Sequence, residues 1–553
     1  MDFKNSRISL FAGLIILSAT IQAQQLDKVV VVEGAYQPAV EKAEKINSSP
    51  VFSDTIVVKP ILNYSVLPSR IDARYEIKPI KPAKLVGSPL DRLYHSRVRL
   101  GMGNYTTPLA EFSIQNLRSK EYSVGAYVYH KSSHSKLKLD NGHKVPAGYG
   151  INKVNLYGKR FYEQVTLEGD LGLQSLKGRY YGYNTANFTD SLPVMDEKDI
   201  RQWYTSLYAN AGIYSMQTDS NALRYNVNLH AGYFSDDYSN SQNHINTRGQ
   251  LSFMIESFRL TLHAQHHYFH SVLDTLRGSN KAVFQFRPVL SKQGDQWNIE
   301  VGANTYLVSD DQFRVYPEAR LGFEVIENVI DAYFGFNGSL ELNHFSKIAG
   351  ENPYIKPGLY VDDTRHKLTG YGGINGRISS KSGFRVDLQI DSKKNDYFFV
   401  NDTTSLLENQ FTVVYDDNDH MRLGGELWYS PYTYLDFYLR AAYHSYNLEA
   451  EEKAWHKPGS ELNFTAQYNF KEKIYASADL IYTGKRYGRN NSQNFSTIEL
   501  KPVWDMNLRF EYKYSDVLSG FLNFHNLFAQ HYYLWNNYPA QRFNAMLGFS
   551  YKF

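Results

Sequence analysis

The segment 543–553, FNAMLGFSYKF, admits few folds. Phe543, Ala545, Leu547, Phe549, Tyr551 and Phe553 fall on one side of an extended strand, and Asn544, Met546, Gly548, Ser550 and Lys552 on the other. A strand with one wholly apolar face and one mostly polar face needs oil on one side and water on the other. In water such a terminus would fray. The same period of two recurs from about His95 onward, in segments of roughly ten residues or more separated by turn residues, which is the pattern of a membrane-spanning barrel. In WNIEVGANTYL, Trp297, Ile299, Val301, Ala303 and Leu307 oppose Asn298, Glu300, Gly302 and Asn304. In ELNFTAQYNF, Leu462, Phe464, Ala466, Tyr468 and Phe470 oppose Glu461, Asn463, Thr465, Gln467 and Asn469.

A soluble sandwich could alternate in the same way, so connection lengths have to decide. A barrel threaded through a membrane has short turns at one rim and long loops at the other. Short candidates centre on Lys120, Glu163, Ser257, Gly294, Asn328, Ser382, Pro431, Glu472 and Asp516. Longer polar stretches lie between them: Ser132 to Gly150, Gly182 to Arg201, Ser235 to His244, Phe345 to Arg365, Asn395 to Asp419, Leu448 to Ser460 and Gly484 to Ser496. Short and long alternate in register. The predicted fold is all-β: a large antiparallel transmembrane barrel of about 22 strands over residues 95–553, with both ends on the short-turn side. Pro288, Pro317 and Pro502 fit such strands only at rims or irregularities.

Composition agrees with this reading. Hydrophobic residues make up 42% of the chain, mean hydropathy is −0.46, and no long apolar run follows the first residues, so no transmembrane helix is expected. With 59 basic and 56 acidic residues the net charge is +3, which supplies no field for nucleic acid. With no cysteine there can be no disulfide. The excess is aromatic: 45 Tyr and 32 Phe match the interfacial girdles of an outer-membrane barrel.

Lys4 and Arg7 precede an apolar stretch from Ile8 to Ala19 and small residues near Ala23, the grammar of a signal peptide over residues 1–23. Residues 24–94 hold seven of the 18 prolines and two β-branched runs, KVVVVEG and DTIVVKP. They read as an extended, proline-rich periplasmic segment rather than a large domain.

The last segments, VWDMNLRFEYKYSDVLSGFLNFHNLFAQHYY and RFNAMLGFSYKF, resemble the end of TonB-dependent receptors. The matching residues are Asn526, Leu527 and Phe528, then Tyr532 and Tyr533, then the final Phe553; Ala529 stands where the family often has an acidic residue. The resemblance implies a Gram-negative outer-membrane location with both termini periplasmic, lipid around the wall, and Phe553 as the signal read by the barrel-assembly machinery. It also implies ligand capture or transport, coupled to TonB through a short box that pairs by strand addition. Asp54, Thr55, Ile56, Val57 and Val58 look like that box, and Asp27 to Val32 is a looser version; an ordinary strand explains both runs as well. The family's plug domain sits between box and barrel, and Lys59 to Tyr94 is too short for it. A barrel of this size is normally plugged. The N-terminal segment, folded-in loops or a partner must fill the lumen. The competing reading is a plugless barrel serving as a structural subunit of an outer-membrane assembly, export or surface complex, and a third is passive diffusion.

For sites, HAQHHYFH suggests a metal, but on a strand His263 and His267 share one face about 13 Å apart, with His266 and His270 on the other. Neither pair chelates alone, so lumen-lining and interfacial histidines are expected. The acidic groups Asp236–Asp237, Asp310–Asp311, Asp362–Asp363 and Asp416–Asp417 with Asp419 could hold loop Ca²⁺, although no calcium-loop spacing is present and solvated loop tips explain them. Tyr180, Tyr181, Tyr183, Tyr532, Tyr533 and Trp535 read as a girdle, or else as a stacking platform for a ligand. No hydrolase elbow, zinc-protease run or phosphate loop occurs, so no catalytic residue, cofactor or resident metal is expected, and the chain is not read as an enzyme.

Overall fold

The computed structural model describes residues 93–553, apart from 186–187, 189–192, 194–195, 217–221, 274–275, 310–311, 406 and 491–495. The expected signal peptide, almost all of the proline-rich segment 24–94 and both box-like runs lie outside the described residues.

Twenty-two strands form one closed antiparallel sheet. Its first strand, Ser96–Gly103, pairs with the second, Thr107–Gln115, and with the last, Asn544–Lys552, in a register that sets Leu100 opposite Phe549. Closure leaves the sheet no edge to cap. The alternation in sequence becomes an outside and an inside. On the last strand Leu547, Phe549 and Tyr551 are 64%, 46% and 44% exposed, whereas Met546 and Ser550 are each 5% exposed. The outward apolar row continues around the wall through Val301, Val315, Phe334, Ile374, Val386 and Leu423, all exposed. The inner wall is polar and charge-paired, as in Arg287 to Glu318 at 2.8 Å and Arg509 to Asp479 at 2.6 Å.

One rim carries the short turns. At the turn between the strands Ser460–Phe470 and Ile474–Thr483, Lys473 N–H donates to the Phe470 carbonyl at 3.0 Å, and Lys471 and Glu472 both take positive φ, 52° and 56°. That is the mirror-image turn whose twist matches the flanking strands. Ser96 and Phe553 exchange backbone hydrogen bonds of 2.9 and 3.0 Å at this same rim. The expected strand count and the shared rim of the first and last strands agree with the structure, while the alternation of short and long connections holds only in part. At the rim opposite Phe553 only residues 104–106 join the strands Ser96–Gly103 and Thr107–Gln115, and three residues separate Trp297–Val308 from Gln312–Ile326.

Two of the expected long stretches differ. Within Ser235 to His244 only residues 236–240 connect the strands Arg224–Ser235 and Ser241–Ile255. Asn395 to Asp419 is mostly not a loop: the strands Ser382–Asn401 and Phe411–Tyr432 continue past their neighbours, and only residues 402–410 connect them. Its aromatic and β-branched residues pair as an extended ladder beyond the neighbouring strands, with Tyr397 opposite Tyr415, Phe398 opposite Val414 and Phe399 opposite Val413. The prolines fall where the ladder allows. Pairing with the strand Trp297–Val308 stops at Phe286 and resumes at Val289, skipping Pro288; Pro317 precedes the first pair with the strand Ile330–Glu341; Pro502 lies between strands.

Candidate functional site

The long connections at the other rim turn inward and pack on one another. The loop 342–363 shows why. Phe345, Ile348 and Ala349 share a helical face, and the helix Phe345–Glu351 buries all three. His344 caps its start, with Nδ1 accepting from Lys347 N–H at 3.3 Å and from the Ser346 hydroxyl at 2.9 Å; Asn352 N–H closes its end on the Ile348 carbonyl at 2.9 Å. The chain then runs beside the projecting strand. Phe411 N–H donates to the Tyr354 carbonyl, and Lys356 N–H to the Phe411 carbonyl, each at 2.9 Å.

Side chains from around the circumference complete an apolar cluster there. Leu137, Leu139 and Val145 come from a small hairpin, and they join Tyr181, Tyr183, Phe345, Ile348, Ile355, Leu359, Val361, Phe399, Phe411 and Tyr538. The Tyr354 and Tyr538 rings stack at 3.7 Å, and Tyr181 meets Tyr538 edge-on at 4.9 Å. The tyrosine hydroxyls that enter are satisfied, whereas Asn352 Nδ2 is buried without a hydrogen-bond partner among the described residues. Tyr180 donates to the Ile355 carbonyl and Tyr181 to the Pro539 carbonyl, each at 2.8 Å; Tyr538 donates to the Asn409 carbonyl, and Asn409 to the Tyr180 carbonyl. Burial drives the hydroxyls of Tyr180, Tyr181 and Tyr538 well above the ordinary phenol range, so they act as neutral donors. Together these loops form a cap across the mouth.

Tyr180, Tyr181 and Tyr183 are therefore not girdle residues. They sit in the cap interior, because a turn after the strand Val165–Arg179 carries them inward. Trp535 packs against the same cluster, and Tyr532 and Tyr533 line a cavity of about 330 Å³ on the cap. The histidine run follows the expected faces. His263 and His267 belong to the inward row, and His266 is exposed. His267 Nδ1 lies 3.1 Å from His244 Nε2, and His230 and His344 flank that pair, with ring centroids 5.3 and 5.5 Å from His244.

The acidic groups that the structure describes are already engaged. Asp236 accepts from Tyr238 and Asn240 N–H, each at 2.9 Å; Asp237 pairs with Arg201 at 2.9 Å; Asp363 pairs with Lys281 at 2.5 Å; Asp416 takes the N–H groups of Asp417, Ala450 and Glu451. They cap turns and tie loops to the wall, with Asp310–Asp311 outside the described residues. Phe553 closes the seam through its backbone, and its side chain is 55% exposed.

Sequence reasoning left folded-in loops open as one of three ways to fill the lumen, but it did not name the residues that build the cap. The signal was available: Leu137, Leu139, Val145, Ile348, Ile355, Leu359 and Val361 are aliphatic residues inside stretches read as solvated loops.

No family pattern matches this sequence, and no curated protein does. Solved structures do match in shape. The siderophore receptor PirA of Acinetobacter baumannii superposes with a TM-score of 0.64 over 84% of this chain and 81% of its own, at 8% identity. The FrpB iron transporter of Neisseria meningitidis gives 0.62 over 84% and 82% at 11% identity, and the ferric-catecholate import receptor Fiu of E. coli K12 gives 0.61 over 84% and 82% at 9% identity. The barrel is TonB-dependent-receptor-like in fold. In this TonB-dependent-receptor-like barrel, the chain's own loops pack together at the mouth.

Proposed function

We propose that the chain is a receptor-like barrel of the Gram-negative outer membrane, with both termini periplasmic, that captures a ligand at its loop face and passes it through its lumen. It is not an enzyme. The observation that carries this reading is the cap: a mouth sealed by buried apolar side chains and loop-to-loop hydrogen bonds is a gate, not a standing pore. Passive diffusion therefore gives way to a gated passage. The polar, charge-paired inner wall suits a hydrated path beneath it. The solved structures of like shape include a siderophore receptor and an iron transporter, which fits a receptor role without naming this chain's ligand. Opening a packed cap needs work, and the stretch Asp54 to Val58 would draw it from TonB by strand addition. Outer-membrane lipid surrounds the exposed apolar band, and the barrel-assembly machinery reads Phe553.

Gentle detergent extraction of tagged protein from its own membrane tests this reading, with co-purifying proteins quantified against a chain carrying Ile56→Pro and Val57→Pro. Recovery of TonB that is lost on proline substitution supports coupling. Stoichiometric outer-membrane partners that survive the prolines would instead make the barrel a structural subunit of a larger complex.

A further inference from the structure

We propose that the lumen wall carries a binding track for neutral oligosaccharides, centred on Tyr157 and Tyr208. Both rings face inward and lie across glycines of the neighbouring strands. Tyr208 covers Gly172 and Tyr157 covers Gly125, so closely that a methyl group on either glycine would overlap the ring. Absence of a side chain beneath lets each ring lie against the sheet and turn its other face to the lumen. His230 continues the surface, nearly parallel to Tyr208 at 25° with centroids 6.4 Å apart.

A hydrogen-bonding frame surrounds these rings. Asp170 Oδ2 accepts from Asn210 Nδ2 at 3.0 Å and from Asn155 Nδ2 at 3.4 Å, and Asn210 Oδ1 takes the Nδ1 proton of His230 at 2.7 Å. That tautomer leaves His230 Nε2 an acceptor, and the second Asp170 oxygen is another. Tyr157, Asn155, Asp170, Asn210 and His230 border a wall cavity of about 740 Å³, within the range of small-ligand sites, and Tyr208 lies beside it with its hydroxyl accepting from Asn155 Nδ2 at 3.4 Å. Its charges cancel: Lys159 and Arg248 balance Glu168 and Asp170, and Lys159 is itself paired with Glu168 at 2.7 Å. The cavity thus favours neither anion nor cation.

A pyranose ring matches this chemistry. Its C–H face packs on the negative face of an aromatic ring, and its equatorial hydroxyls both donate and accept, as carboxylate, amide and imidazole groups require. Two tyrosines and a histidine presented flat along one wall suit a chain of such rings better than a single compact ligand.

The track rests on the reading of the lumen as a passage, and its test is separate. Full-length protein in detergent micelles, where both ends of the barrel meet solvent, is titrated calorimetrically with millimolar maltohexaose, cellohexaose, xylohexaose and mannohexaose. Binding of at least one hexasaccharide is expected. Tyr208→Ala should weaken it about tenfold, as should Gly172→Ala, which displaces the ring without removing it, while the lipid-facing Leu171→Ala should leave it unchanged. Heat-modifiable migration reports folding; should Gly172→Ala fail to fold, Tyr208→Ala decides alone. No binding by any of the four sugars, or binding equally strong in Tyr208→Ala, overturns the track. Proline-sensitive TonB recovery without sugar binding would overturn the track alone, whereas sugar binding by a complex subunit would support the track and sink the passage.

Discussion

Phe411 is where three loops meet. Its backbone bonds to Tyr354 and Lys356, and its ring contacts His456 at 5.5 Å, Trp535 at 5.6 Å and Tyr538 at 6.0 Å. It is fully buried. Phe411→Ala should cost the cap about 3–5 kcal/mol, because the loops can only partly collapse into the space. In planar bilayers the parent chain should be electrically silent and the variant should conduct; equal conductance would contradict a sealed mouth. On the outer face the test is charge. Leu547→Arg, near the middle of the last strand, should cost about 2–4 kcal/mol if that face meets lipid, read as lost heat-modifiable folding, whereas a change near zero would place the face in water.

At the scale of elements, the strands were legible because period two survives wherever one face meets oil, as at Phe543 to Phe553. The loops were legible only as interruptions. Asn395 to Asp419 carries apolar residues on both faces, Tyr397 to Val400 and Phe411 to Tyr415, so it lacks the one-sided alternation of a wall strand, and the mostly polar residues 401–410 between them made the whole stretch read as a loop. The helix Phe345–Glu351 is too short to show a period, and its cap on His344 depends on a ring nitrogen rather than on the usual Ser, Thr, Asp or Asn. The candidate site was correspondingly less legible than the fold, because Phe411, Tyr538 and Ile355 come together only through the topology. Two cap histidines carry a pH consequence. Burial, with His244 and Lys347 nearby, lowers His344 from 6.5 to about 3. Burial also lowers His456 to about 3, with Arg486 and Lys457 adding to it against the hydrogen bond to the Phe399 carbonyl. The opened loops would hold ordinary imidazoles, which bind protons below about 6.5. Cap stability is therefore complete above that pH and falls as pH drops from about 6.5 toward about 3. His456 Nε2 accepts from Asn536 N–H at 3.2 Å, a bond that protonation breaks. Protease protection of the loops should fall between about pH 7 and about pH 4, and His456→Gln should flatten part of that slope; a flat parent profile would remove these histidines from the cap's energetics.

For the whole molecule, the seam decides biogenesis. Removal of Phe553 deletes both backbone bonds to Ser96 and, on the proposed reading, the assembly signal, so the yield of heat-modifiable barrel should drop severalfold in cells. Phe553→Ala keeps those bonds, and a drop there would isolate the side chain's role; full yield from both variants would refute it. The seam also bears on the order of events during folding. Asn104 and Ala545 are joined across a sequence separation of 441 residues, so the contact that completes the cylinder is among the most non-local the chain can make. Chain entropy opposes such a contact until the intervening hairpins have formed and shortened the effective loop. Every earlier stage presents two raw strand edges, each a template for a neighbouring chain. Growth hairpin by hairpin on a surface that shields those edges, with the first strand held until the last arrives, is the route that this connectivity demands.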